Sequence, residues 1–166
     1  QRVNFRRYIQ AGGGFVGLHS VTGTERNWTW FKMMLGGSFI WHAKFQPFTI
    51  RTIDKKHPSV KGVPPVWTKE DECYFTKEMY PGIKVVMAHD ISTVTGDEAH
   101  MEKVRTHSVQ FPHYYPAVWY QHFDGGTIWV TLVRKMPANR SRTLFSNRFS
   151  MKPGMFSCGS VRRMIS

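Results

Sequence analysis

A histidine and a hydroxyl stand together at the end of a short apolar run, Gly12-Gly13-Gly14-Phe15-Val16-Gly17-Leu18-His19-Ser20. A neutral imidazole can take up or return a proton near neutral pH, or donate a lone pair to a metal ion. A serine beside it can bond a substrate or, with a base and an oxyanion hole, act as a nucleophile. The surrounding Gly17-Leu18-His19-Ser20-Val21 lacks the Gly-x-Ser-x-Gly pattern of a nucleophile elbow, which disfavours serine hydrolysis. The competing structural reading is a capping serine and a core histidine.

The elements around this stretch follow the grammar of an α/β sheet. Residues 1–10 read as the end of a helix, with Val3, Tyr8 and Ile9 set among arginines, and Gly12 or Gly13 stops it. Phe15 to Leu18 is apolar on both sides, as buried parallel strands are. In such sheets the side chains just past the carboxyl ends of strands face the ligand crevice, which is where His19 and Ser20 fall. Residues 27–35 predict a short helix stopped by Gly36-Gly37, with Thr24 or Asn27 as its cap. Residues 48–53 and 83–88 predict strands, the second ending in His89-Asp90, and 71–76 a short strand or the approach to one. Residues 57–65 read as a proline-bound loop, and 92–115 as a long polar excursion. Two alternating runs, 117–123 and 127–133, flank Asp124-Gly125-Gly126, the best hairpin signal in the chain.

Length and composition bound the remaining choices. A chain of 166 residues with 41% hydrophobic and 14% aromatic content has a core large enough for one domain. No run approaches the roughly 18–20 apolar residues of a membrane span. Cys73 and Cys158, the two cysteines, form neither a disulfide framework nor a thiolate zinc site. The net charge of +12 is unevenly spread. Eight basic residues and no acidic one lie from Arg134 onward, which leaves 15 basic and 11 acidic residues in 1–133. The body is therefore only mildly basic, and nucleic-acid binding is disfavoured except through the tail of residues 134–166.

The ordered set of motifs resembles the ThuA-like family, named for trehalose utilisation, within the class I glutamine amidotransferase-like superfamily. The matching pieces are the Gly12–Ser20 stretch, Leu35-Gly36-Gly37-Ser38-Phe39 with His42, and His57-Pro58 with Lys61-Gly62. Asp71-Glu72 with Tyr74-Phe75 follows, and then Pro116-Ala117-Val118-Trp119-Tyr120 leading into Asp124-Gly125-Gly126. The resemblance covers roughly residues 5 to 131 and implies an α/β domain with a three-layer, flavodoxin-like sheet. It also implies two departures. The family's strands before the triple glycine are missing, so the sheet is expected to be incomplete at its amino end with residues 15–18 at an exposed edge. The family's Leu-Gly-His turn after the hairpin is replaced by Leu132-Val133-Arg134, so the ThuA-like part is expected to end at 133 and the basic tail to be a shifted or foreign end.

The resemblance sharpens the chemistry. Amidotransferase relatives carry a nucleophilic cysteine at the sharp turn where this chain has His19, so thioester chemistry is disfavoured. A divalent, zinc-like metal held by His19, His42 and Glu72 is the alternative expectation, since imidazoles and a carboxylate suit such an ion. His19, Glu72 and His57 are the expected acid–base residues. Ser20, Asp71, Tyr74 and Trp119 are expected to bind substrate, the aromatic rings covering the C–H face of a sugar. If 71–76 is extended, Asp71 and Glu72 cannot face one site, and Glu72 is then expected in the pocket with Asp71 bonding a loop backbone. The implied function is carbohydrate utilisation, with trehalose-like or keto-sugar substrates. The rival reading is a non-catalytic sugar-binding domain.

Overall fold

The computed structural model describes residues 1–96, 98–107, 111, 113–134 and, by backbone alone, 156–158. Helix α1 (Arg2–Gln10) runs into the glycine cluster, and strand β1 (Gly14–Leu18) leaves it. The glycines are needed because the chains touch here. A side chain at Gly126 would meet the Gly13 carbonyl oxygen at 2.4 Å, and one at Gly13 would meet the Tyr8 ring at 2.5 Å. The Tyr8 hydroxyl binds both backbone groups of Gly14 and so fixes the first residue of β1.

The remaining elements are helix α2 (Thr29–Leu35) and strands β2 (Ser38–His42), β3 (Gln46–Thr52), β4 (Val66–Asp71), β5 (Tyr74–Lys77) and β6 (Lys84–Asp90). After them come helix α3 (Glu98–His107), strands β7 (Tyr114–Phe123) and β8 (Gly126–Thr131), and β9 (Phe156–Cys158). Seven strands form one mixed sheet in the order β4-β3-β6-β7-β8-β1-β9. Strand β1 is parallel to both β8 and β9, and the other pairs are antiparallel. Strands β2 and β5 form a separate antiparallel ribbon. The α/β, three-layer reading holds. Ile9 of α1 and Phe31, Met34 and Leu35 of α2 pack on one sheet face with Phe15, Trp119 and Ile128. Met101 and Val104 of α3 pack on the other with Val16, Ala117 and Trp129. Alternation along β1 explains how one short strand serves both cores.

Helix α2 ends where the glycines predict. Gly36 is left-handed, with φ of 81°, and a side chain there would meet Ile83 at 2.6 Å. Its last carbonyls, which no helical N–H can reach, accept from β7 side chains instead. The Trp119 indole N–H donates to Leu35 at 2.8 Å, and the Gln121 amide to Met33 and Met34. The start of α2 differs from expectation: Trp28 precedes it, without a side-chain cap.

Four other expectations are corrected. The excursion over 92–115 contains α3, whose apolar contribution to the core is Met101 and Val104, too few to reveal a helical period among polar neighbours. Strands β2 and β4 fall in stretches given no element, because tertiary pairing and not alternation makes them strands. Residues 71–76 are not continuously extended: β4 ends at Asp71 and β5 begins at Tyr74. The outer edge of β1 is covered, since β9 pairs with Phe15 to Gly17.

His89 of β6 is completely buried and neither ring nitrogen has a hydrogen-bond partner among the described residues. Phe48 stands edge-on to it at 5.2 Å. Burial pushes its pKa down to about 3, with Asp71 opposing weakly. An unfolded chain binds a proton there near pH 6.5 and the folded one does not, so stability is full above that pH and falls as the pH drops. Urea unfolding between pH 7 and pH 4 should lose about 1.4 kcal/mol per unit below pH 6, and His89→Phe should flatten that slope. An unchanged slope in the variant would contradict this reading.

Candidate functional site

His19 is the first residue after β1, and its backbone is strained. Its φ is 50°, a left-handed conformation that non-glycine residues adopt rarely. The strand ends by turning at this residue into the 3-10 turn His19–Gly23, so the imidazole projects from the tip of a buried strand. Glu25, Glu78 and Asp124 share this conformation, but of the four only His19 stands at the end of the buried strand β1.

The carboxylate that meets it is Asp71, at the end of β4. Asp71 is 3% exposed, and its oxygens accept from the backbone N–H of Glu72 at 3.0 Å and of Arg134 at 3.3 Å. The Lys69 ammonium lies 3.7 Å away, one pleat earlier on the same face of β4. His19 Nε2 lies 3.7 Å from Asp71 Oδ1, an electrostatic contact too long for a hydrogen bond. Nε2 is buried, yet the His19 side chain is 20% exposed. The accessible edge of the ring is therefore the one turned away from Asp71. Burial lowers the His19 pKa below its ordinary value, Asp71 and Glu72 oppose this, and Arg134 and His42 reinforce it. The ring is neutral at neutral pH.

Tyr74, the first residue of β5, joins this pair to a second one. Its ring stands edge-on to His19 at 4.4 Å and stacks on His42 at 5.2 Å. Its hydroxyl donates to Glu72 Oε2 at 3.0 Å, and burial with that bond to a carboxylate pushes its pKa up to about 12. It remains a phenol at any ordinary pH. His42, at the end of β2, contacts the Ala43 carbonyl through Nδ1 at 3.0 Å and Glu72 at 3.9 Å. A carbonyl only accepts, so Nδ1 carries a proton. The ribbon of β2 and β5 thus carries His42 and Tyr74, and pairing of these two residues across it sets their stack.

The structure brings together His19, His42, Asp71, Glu72 and Tyr74. Both carboxylates reach the cluster because Glu72 lies between β4 and β5, where strand alternation does not apply. The expectation that Asp71 would bond loop backbone is met through Arg134, but it faces His19 as well. The zinc-like set of His19, His42 and Glu72 does not close on one point. Asp71 faces His19 and Glu72 faces His42, and no group of three His, Cys, Asp or Glu among the described residues could hold a metal ion. Ser20 is next to His19, exposed on the 3-10 turn. His57 lies elsewhere: its Nδ1 bonds Ser59 Oγ at 2.8 Å and its ring packs on Tyr120 and Trp129. Trp119 is fully buried beneath α2, where it serves that helix end. Lys69 and Arg134 are the residues that sequence reasoning missed. Period-two spacing from Asp71 would have found Lys69, but nothing local connects Arg134 to the site.

A sequence profile of the ThuA family, described as trehalose utilisation, matches residues 1–133. The chain belongs to that family. Its fold is similar to that of a ThuA-like protein from Bacteroides uniformis, with a TM-score of 0.62 and 19% identity over 86% of this chain and 59% of the other. A ThuA-like protein from Parabacteroides merdae gives 0.59 and 20% identity over 79% of this chain and 53% of the other. The chain thus spans little more than half the length of these two structures. No curated protein matches the sequence. The basic tail expected to begin at 134 lies outside the described residues apart from Arg134 and β9. No described helix is long and apolar enough to cross a membrane.

The charge on Asp71 supports protonation of His19, so neutralising it lowers the pKa further. An NMR titration of the His19 ring in Asp71→Asn should show an apparent pKa below that of the unmodified chain. A rise would contradict the placement.

Proposed function

We propose that the chain acts on a small carbohydrate by general acid–base catalysis, with His19 as the base. The observation that carries this reading is the strained His19 at the tip of β1, one nitrogen buried against Asp71 and the opposite edge accessible. Such a ring takes a proton from a sugar hydroxyl, or from a carbon beside a keto group, through its accessible edge. Asp71 then stabilises the imidazolium that forms, as a buried carboxylate does when it orients a catalytic histidine. Its own charge is held by the two backbone N–H groups and Lys69.

The second pair supplies a complementary group. Glu72 accepts from Tyr74 and lies 3.9 Å from His42 Nδ1. When it carries a proton on Nε2, His42 can return it to a leaving or carbonyl oxygen. Tyr74 is buried between the two imidazoles, where it spaces them and holds Glu72 through its hydroxyl. The family's description as trehalose utilisation supports a trehalose-like substrate, and keto-sugars are the related class to test.

Turnover of a panel of disaccharides and their 3-keto derivatives, followed by chromatography, tests this. We expect His19→Gln to lower kcat by about 10²–10⁴-fold, and Tyr74→Phe to lower it less, while raising KM. Binding of the panel without turnover would replace the reading with that of a sugar-binding domain. Full activity in His19→Gln would remove the histidine from the mechanism.

A further inference from the structure

Strand β4 ends the sheet on one side, and no strand among the described residues pairs with its outer edge. Its sequence, Val66-Trp67-Thr68-Lys69-Glu70-Asp71, follows Pro64-Pro65 and holds no proline of its own. A proline within the strand or a bulge would blunt such an edge, but β4 pairs with β3 in unbroken register.

That register fixes which backbone groups face out. The Thr52 N–H donates to the Pro65 carbonyl at 2.8 Å, and this pair continues the β3–β4 ladder by one position. Hydrogen-bonded pairs of an antiparallel ladder recur at every second residue. Trp67, Lys69 and Asp71 therefore bond β3, and the N–H and carbonyl groups of Val66, Thr68 and Glu70 point outward. The side chains of these three are exposed, Val66 at 48%, so the edge is open to a partner.

The open edge matches a second copy of itself. With two copies antiparallel about a two-fold axis at Thr68, Val66 meets the partner's Glu70 and Thr68 meets the partner's Thr68. Every outward N–H and carbonyl of Val66, Thr68 and Glu70 then has a partner. On the other face, Lys69 stands opposite the partner's Trp67, a cation beside an aromatic ring. The adjacent registers are worse. Sliding by two residues one way opposes Lys69 to Lys69, which is destabilising. Sliding the other way opposes Glu70 to Pro64, which has no N–H to donate.

We propose that the chain forms a two-fold dimer through antiparallel β4–β4 pairing centred on Thr68. The two sheets become continuous, and the partner's Trp67 stands beside Lys69, whose ammonium lies 3.7 Å from Asp71. The interface thus reaches the His19 site through that lysine. Contact along one short strand is small, so the dimer is weak and depends on concentration.

Sedimentation velocity of the full chain at low salt, over a concentration series, tests this. The unmodified chain should pass from monomer to dimer through the micromolar range. Thr68→Pro removes the central outward N–H at an edge position where a folded monomer tolerates proline. It should stay monomeric, with an unchanged thermal melt. Val66→Lys sets a cation against the partner's Glu70 on both sides of the axis and should tighten dimerisation roughly threefold to tenfold. Val66→Glu should weaken it by a similar factor, and this exposed pair of variants decides the matter even if Thr68→Pro fails to fold. A chain that stays monomeric throughout would overturn the proposal, as would a dimer that Thr68→Pro leaves intact. Equal effects of Val66→Lys and Val66→Glu would overturn the register.

Discussion

One buried carboxylate holds the site together. Asp71 draws on three separate parts of the chain: His19 at the tip of β1, Glu72 at the break before β5, and Arg134 after β8. Each of these lies at the end of a strand, so the contact fixes where three strands stop relative to one another. A bare carboxylate at 3% exposure would be costly, and the two N–H groups together with Lys69 are what make it tolerable. The same charge faces His19 Nε2, 3.7 Å away. Packing alone would allow the imidazole either of its edges outward, whereas an anion on one side favours an N–H there and leaves the other nitrogen bare.

The sheet supplies the rigidity that such a contact requires. Strand β1 is buried on both faces, is flanked by β8 and β9, and enters from a glycine cluster pressed against α1. A strand so confined has little freedom to move its terminal residue. The positive φ of His19 is then a local cost set against that confinement, and it turns the chain off the sheet just where the side chain must point into solvent-accessible space. Trp119, Gln121 and Gly36 do comparable work under α2, closing the helix end so that the β2–β5 ribbon, which carries His42 and Tyr74, follows at a fixed place.

Much of this was legible in the residues, and the exceptions have physical causes. The apolar run 15–18 and the Asp124-Gly125 turn were plain because burial on two faces and a two-residue hairpin leave strong local patterns. His19, His42, Asp71, Glu72 and Tyr74, singled out by residue type and motif order, lie together. Their pairing was not legible, since it depends on a break in the extended backbone between Asp71 and Tyr74 that no local pattern announces. Trp119 was misleading for the opposite reason: an indole that suits a sugar face equally suits a helix end, and only its bond to Leu35 distinguishes them. Helix α3 was hidden because its two anchors, Met101 and Val104, are too few to set a period. Arg134 could not be connected to the site from sequence, because its link to Asp71 spans 63 positions and runs through the backbone.

In the proposed mechanism Asp71 fixes the tautomer of His19, with the proton on the buried nitrogen and the lone pair on the accessible edge. A long-range nitrogen–proton correlation NMR spectrum of the labelled chain at neutral pH reads this directly. The account predicts the Nε2-protonated neutral ring for His19, and a change in tautomer balance in Asp71→Asn. An Nδ1-protonated ring or a charged imidazolium at that pH would contradict it.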